Sequence, residues 1–136
     1  MSKLEKACII DDDPIFIFGL KKVMTSVDFA KEVIVFNNGE DALEALLKIK
    51  DDKDSLPEVI LLDLNMPIMD GWQFLDEFTK VKVERQIIIY IVSSSIDPLD
   101  YKKAQKYNHI KNYIIKPIQM EDLKTILKSF KLNKEL

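Results

Sequence analysis

The feature that most restricts the fold is a set of five short apolar runs: Ala7 to Ile10, Val33 to Phe36, Val59 to Leu62, Ile87 to Val92 and Tyr113 to Ile115. They are rich in Ile and Val and mostly continuous rather than alternating, the pattern of strands buried on both faces of a parallel sheet. Between them the apolar residues change to helical spacing. Phe16, Leu20, Val23 and Val27 share one face, as do Leu43, Leu46 and Leu47, then Leu75 and Phe78, then Leu123, Ile126, Leu127 and Phe130.

The punctuation agrees with a β-α unit repeated five times. Asp13-Pro14 and Asp97-Pro98 each read as an N-cap followed by proline at the first helical position, where a missing N–H costs nothing. Asn38, with Glu40 and Asp41 in the next turn, opens the second helix, and Gly71 after Asp70 marks the loop into the third. The charged stretch from Lys50 to Asp54 reads as a solvated helix end and loop. Such a chain is an α/β protein, a doubly wound (βα)5 fold with a five-stranded parallel sheet, helices on both faces and right-handed crossovers.

Length and charge exclude several functions. At 136 residues the chain fits one domain, expected over 1–136, with few residues after the last helix and so no output domain. A formal net charge of −3 provides no global basic field for nucleic acid. No apolar run approaches a membrane span and the N-terminus lacks a signal-peptide core, so a cytoplasmic protein is expected. The single cysteine, Cys8, lies inside an apolar run and reads as a small buried hydrophobe. There is no His/Cys cluster for zinc and no glycine-rich phosphate loop; His109, the one histidine, reads as a surface or loop residue.

In open α/β sheets ligands bind beyond the carboxyl ends of the strands. Here the first strand ends in Asp11-Asp12-Asp13, the third in Asp63, the fourth in Ser93-Ser94-Ser95 and the fifth in Lys116-Pro117. Asp13 is assigned to helix capping and left out of the site. Asp11, Asp12 and Asp63 are three converging carboxylates that a stable fold does not need for itself, and a hard cation relieves their repulsion. Mg²⁺ fits best, because it takes one or two carboxylates together with phosphate oxygens and water. Lys116 would balance the acids and grip a phosphoryl oxygen. Strand alternation sends Ser93 and Ser95 one way and Ser94 the other, so spacing leaves the serine ligand open. The chemistry permitted is attack of a carboxylate on phosphorus, with an acyl phosphate on Asp63 as product.

These residues carry a family likeness. Ile9 to Pro14, Leu61 to Gly71, Ile91 to Ser95 and Tyr113 to Ile118 stand in an order and spacing similar to the receiver domain of two-component response regulators, over essentially the whole chain. The resemblance implies the flavodoxin-like strand order 2-1-3-4-5 and a stand-alone, single-domain receiver. It implies Asp63 as phosphoacceptor and Mg²⁺ held by Asp12 directly, Asp11 mainly through water, Asp63, and Asn65 through its backbone carbonyl. It selects Ser93 as the hydroxyl that contacts the phosphoryl group, with Lys116 as the partner lysine and a cis Lys116-Pro117 bond. Serine in place of the commoner threonine keeps the hydroxyl and removes a methyl. Tyr113 matches an aromatic position that turns inward on activation, and Asn65 and Ser95 match positions that modulate dephosphorylation.

The implied donor is a phosphohistidine on a sensor histidine kinase or a histidine phosphotransfer protein. The implied output surface is the fourth helix, fifth strand and fifth helix, facing a separate downstream protein. Tyr101, Tyr107 and Tyr113 read either as exposed aromatics of a partner surface near the fourth and fifth elements or as ordinary helix and strand packing. Beyond its own phosphorylation and slow dephosphorylation, the chain is not expected to be an enzyme. A haloacid-dehalogenase-like hydrolase would need a second acid where Asn65 stands, and a degenerate docking module would not need the intact set Asp11, Asp12, Asp63, Ser93 and Lys116.

Overall fold

The computed structural model describes residues 3–135, so Met1, Ser2 and Leu136, on which the expected chain ends rest, lie outside the described residues. Ten elements alternate: β1 (Leu4–Ile10), α1 (Pro14–Ser26), β2 (Ala30–Phe36), α2 (Gly39–Lys48), β3 (Val59–Leu62), α3 (Gly71–Phe78), β4 (Ile88–Ser93), α4 (Pro98–Ala104), β5 (Ile110–Ile115) and α5 (Met120–Glu135). The five strands pair in parallel in the order β2-β1-β3-β4-β5. Both the fold class and the strand order match the expectation.

The continuous apolar runs resolve into two faces once the strands are placed. On β1, Ala7 and Ile9 point to a core shared with Ile17, Leu20 and Met24 of α1 and Leu123, Ile126 and Leu127 of α5. Cys8 and Ile10 point the other way, to Ala42 and Leu46 of α2 and Phe74, Leu75 and Phe78 of α3. Ala7 to Ile10 are all buried, but alternate residues serve different layers. Cys8 is a buried free thiol, as expected, and burial in apolar surroundings pushes its pKa upward.

Five elements differ from their sequence reading. β1, β2 and β5 each start earlier than the apolar runs, because their first residues lie at an exposed sheet end or edge: Glu5, Lys31, Glu32, Lys111 and Asn112 are exposed and bear no apolar signature. The α1 face is rotated, with Ile17 and Met24 buried and Phe16, Val23 and Val27 only packed along its margin. Gly71 is the first residue of α3 rather than loop; Asp70 caps the helix, accepting from Gln73 N while the Gln73 side chain accepts from Asp70 N. The caps at Asp13, Asn38 and Asp97 are as read.

Candidate functional site

The last rungs of the parallel ladder fix the main chain of the site. Asp11 N–H donates to Phe36 O, Asp63 N–H to Ile10 O, and Lys116 N–H to Ser93 O, at 2.9–3.0 Å. Each of those residues follows its strand directly, and Ser93 ends β4 in register with Ile115. β1 and β3 are neighbours, but the chain after β1 moves outward to β2 and the chain after β3 moves the opposite way to β4, and the crevice at that reversal receives Asp11 and Asp63.

The side chains converge there. Among the described residues, Asp11, Asp12 and Asp63 form a group in which one carboxylate oxygen from each lies within 4.8 Å of the other two. Asp11 and Asp63 are buried and Asp12 is exposed at the mouth. Lys116 Nζ stands 2.9 Å from Asp11 Oδ2 and 3.6 Å from Asp63 Oδ2. One ammonium therefore serves two buried carboxylates. Burial, then the Asp11 charge, push the Asp63 pKa up to about 6, against the opposing pull of Lys116 and the Leu64 N–H. Asp11 is raised too, chiefly by burial, although Asp13 N–H and Lys116 both stabilise its charged form.

The three serines separate in the structure. Ser93 is fully buried at the strand end, and its Oγ accepts from Ser95 N at 3.1 Å. Ser94 faces solvent. Ser95 turns toward α4, donating from Oγ to Asp100 Oδ2 at 2.5 Å, and its carbonyl accepts the Tyr113 hydroxyl at 3.0 Å. Asn65 lies exposed two residues beyond Asp63, and the Lys116-Pro117 bond is cis, as expected.

The three tyrosines divide between exposure and packing. Tyr113 is buried beneath Tyr101, with ring centroids 4.3 Å apart, and Tyr107 is half-buried against Trp72, so of the three only Tyr101 is exposed. Tyr113 belongs to a small cluster with Leu64, Ile91 and Ala104 that joins the end of β3 to α4.

Two contributors carry little signal in the sequence. A Cβ on Gly71 would meet the Asp63 carbonyl oxygen at 2.4 Å, so only glycine lets the start of α3 close on the acidic loop, where Gly71 N–H donates to Leu64 O. Phe16, read as part of an ordinary helical face, places its ring centroid 4.2 Å from Lys116 Nζ.

A doubly wound α/β protein with acids and a lysine gathered at its topological switch point defines the structural class. Within that class the chain belongs to the response regulator receiver domain family, whose model matches residues 7–128, and it is therefore a receiver domain of two-component signalling. It is similar to an uncharacterized response regulatory protein of Staphylococcus epidermidis, 32% identical over 90% of this chain and 45% of that protein. The chain thus spans less than half the length of that relative. Its fold superposes on a two-component response regulator from Cytophaga hutchinsonii with a TM-score of 0.85 and 27% identity, covering 97% and 99% of the two chains. The phosphorylated cyanobacterial phytochrome response regulator RcpA superposes with a TM-score of 0.72 and 26% identity, covering 93% and 91%. Receiver domains are signalling domains that bind Mg²⁺ at an acidic site and work with histidine kinases or phosphotransfer proteins. No described helix is long and apolar enough to cross a membrane.

Proposed function

We propose that Asp63 accepts a phosphoryl group from a phosphohistidine on a sensor histidine kinase or histidine phosphotransfer protein, and that the resulting change of shape signals to a separate protein. The observation that carries this reading is the charge imbalance in the crevice: Asp11 and Asp63, both buried, share one lysine. With a pKa of about 6, Asp63 is mostly ionised at neutral pH and available as a nucleophile. A carboxylate oxygen of Asp63 attacks phosphorus, the P–N bond to the donor imidazole breaks, and the imidazole leaves with the bonding pair.

The donor set suits a hard dication, being three carboxylates within 4.8 Å. Asp11, Asp12, Asp63 and the backbone carbonyl of Asn65 would hold Mg²⁺, which when bound neutralises charge on the incoming phosphoryl group. Lys116 pairs with a phosphoryl oxygen and the Ser93 hydroxyl donates to another. Asn65 and Ser95 modulate hydrolysis of the acyl phosphate. Tyr113, already beneath Tyr101, reports the state of the site to the α4-β5-α5 face, where the downstream protein binds. This reading places the protein in the cytoplasm.

The test is intact-mass measurement after incubation with Mg²⁺ and a small phosphodonor such as acetyl phosphate. One phosphoryl adduct on the wild type and none on Asp63→Asn is expected. An unmodified wild type under conditions that label another receiver would sink the reading.

A further inference from the structure

Lys116 is gripped on three sides, and only two of the contacts are with acids. Its Nζ touches Asp11 and Asp63, and its third neighbour is the face of the Phe16 ring, 4.2 Å from the centroid. The lysine side chain is mostly buried, with 17% exposed. An ammonium over an aromatic face is held by the ring quadrupole, and the attraction strengthens as water is removed.

The ring is itself fixed by the site. Asp11 Oδ1 accepts from Asp13 N at 2.9 Å, and Asp13 Oδ1 accepts from Ile15 N at 3.0 Å and Phe16 N at 3.3 Å. Phe16 carries the ring that faces Lys116, and Lys116 returns to Asp11 Oδ2. The contacts form a closed circuit. Asp13, a helix cap by sequence, thus aims α1 so that Phe16 stands over the lysine.

We propose that Phe16 is a positioning residue for Lys116, holding the ammonium in the crevice while its carboxylate partners change. The inference rests on the reading of Asp63 as phosphoacceptor. In the resting arrangement the nearest anion to Nζ is Asp11, a residue also assigned to cation binding. Once Asp11 is engaged elsewhere, the lysine must leave it and pair at Asp63. A flexible four-carbon stem freed from one carboxylate would otherwise sample solvent. The Phe16 face cannot bind a hard cation and carries no proton to exchange. It therefore restrains the ammonium without competing for either role, so its loss slows phosphorylation.

Phosphorylation is measured at several acetyl phosphate concentrations with saturating Mg²⁺, for wild type, Phe16→Leu and Phe16→Tyr. Phe16→Leu keeps an apolar side chain against the core but has no π face. A cation–π contact of ~0.5–2 kcal/mol corresponds to a phosphorylation rate about 2- to 30-fold lower in Phe16→Leu, with Phe16→Tyr close to wild type. Mg²⁺ affinity should stay near the wild-type value. Pentafluorophenylalanine at position 16 keeps the ring's shape but withdraws charge from its face; it should slow the reaction as Phe16→Leu does, and it serves if the leucine variant folds poorly.

A readout independent of donor and metal is the proton spectrum of Lys116. Its ε-methylene resonances should be shifted upfield by the ring in the wild type and return toward the ordinary lysine position in Phe16→Leu. Equal rates in wild type, leucine and pentafluoro proteins would overturn the proposal while leaving Asp63 as acceptor. So would ordinary ε-methylene shifts in the wild type. A wild type that takes no phosphoryl group fails at the earlier step and removes both readings.

Discussion

β3 is only four residues long, and it has a buried acid at each end. Glu58 precedes Val59 and Asp63 follows Leu62, with 3% and 6% exposure. At the amino end Glu58 Oε1 accepts the Glu5 N–H at 2.6 Å, and Oε2 lies 4.0 Å from Arg85 NH2, while Arg85 NH1 donates to Leu56 O. That acid has a backbone donor and a guanidinium facing it. At the carboxyl end Asp63 shares Lys116 with Asp11, has Asp12 close by and keeps one main-chain donor of its own, Leu64 N–H. The same strand thus carries one carboxylate whose charge is matched and one whose charge is not. The unmatched end is where a cation would find charge to neutralise.

The two acids should respond in opposite directions to removal. Glu58→Ala leaves Arg85 and the Glu5 N–H without their acceptor, and urea unfolding should show a loss of about 3 kcal/mol. Asp63→Asn, in metal-free buffer at pH 7.5, should instead gain about 2 kcal/mol. Equal losses would mean that the carboxyl end is as well compensated as the amino end.

The pH dependence sharpens the same contrast. Asp63 is raised from 3.8 to about 6, so the folded state holds its proton more tightly than the unfolded chain does. The resulting penalty is complete above pH 6 and is relieved as pH falls from 6 toward 4. From the shift, metal-free wild type should gain up to about 3 kcal/mol across that window, with a raised Asp11 acting in the same direction. Asp63→Asn should lose most of this slope, while Glu58→Gln should retain it.

Mg²⁺ should act at one end only. At ten times its dissociation constant the ion stabilises the wild type by about 1.4 kcal/mol. Thermal unfolding should show that increment in wild type and in Glu58→Gln, and a reduced one in Asp63→Asn.

The smallest effect lies in the loop that leaves the acidic end. Ile68 is β-branched, exposed, and held at φ 69°, a left-handed conformation that such residues rarely adopt. Ile68→Gly should raise stability by ~0.5–1 kcal/mol, the relieved strain being partly offset by the freer unfolded chain. Asp28, at φ 53°, makes a useful control because aspartate tolerates that region better.

Much of this was legible in the sequence because it is local. Apolar continuity located every strand, and Asp13, Asn38 and Asp97 marked their helices through hydrogen bonds that reach two or three residues. The acids and the lysine stood out because a charged residue directly after a buried strand has few positions open to it. Edge residues such as Lys111 and Asn112 escaped notice, since a strand with solvent beside it needs no apolar signature. Tyr113 could be read as exposed or as packed, because nothing in its neighbourhood along the chain announces that Tyr101 covers it.

Periodicity and short-range capping were enough for the five strands, the starts of α1, α2 and α4, and the end of the sheet that carries the acids. Tertiary structure decided the rest. The order β2-β1-β3 set Asp11 beside Asp63 and left them one lysine to share; strand register buried Ser93 and turned Ser95 toward α4. It also brought Glu58 to Glu5 and Phe16 to Lys116. The physical reason is range: propensity and capping act over a few residues, whereas burial, desolvation and the sharing of one cation between two acids depend on which distant segments the sheet makes neighbours.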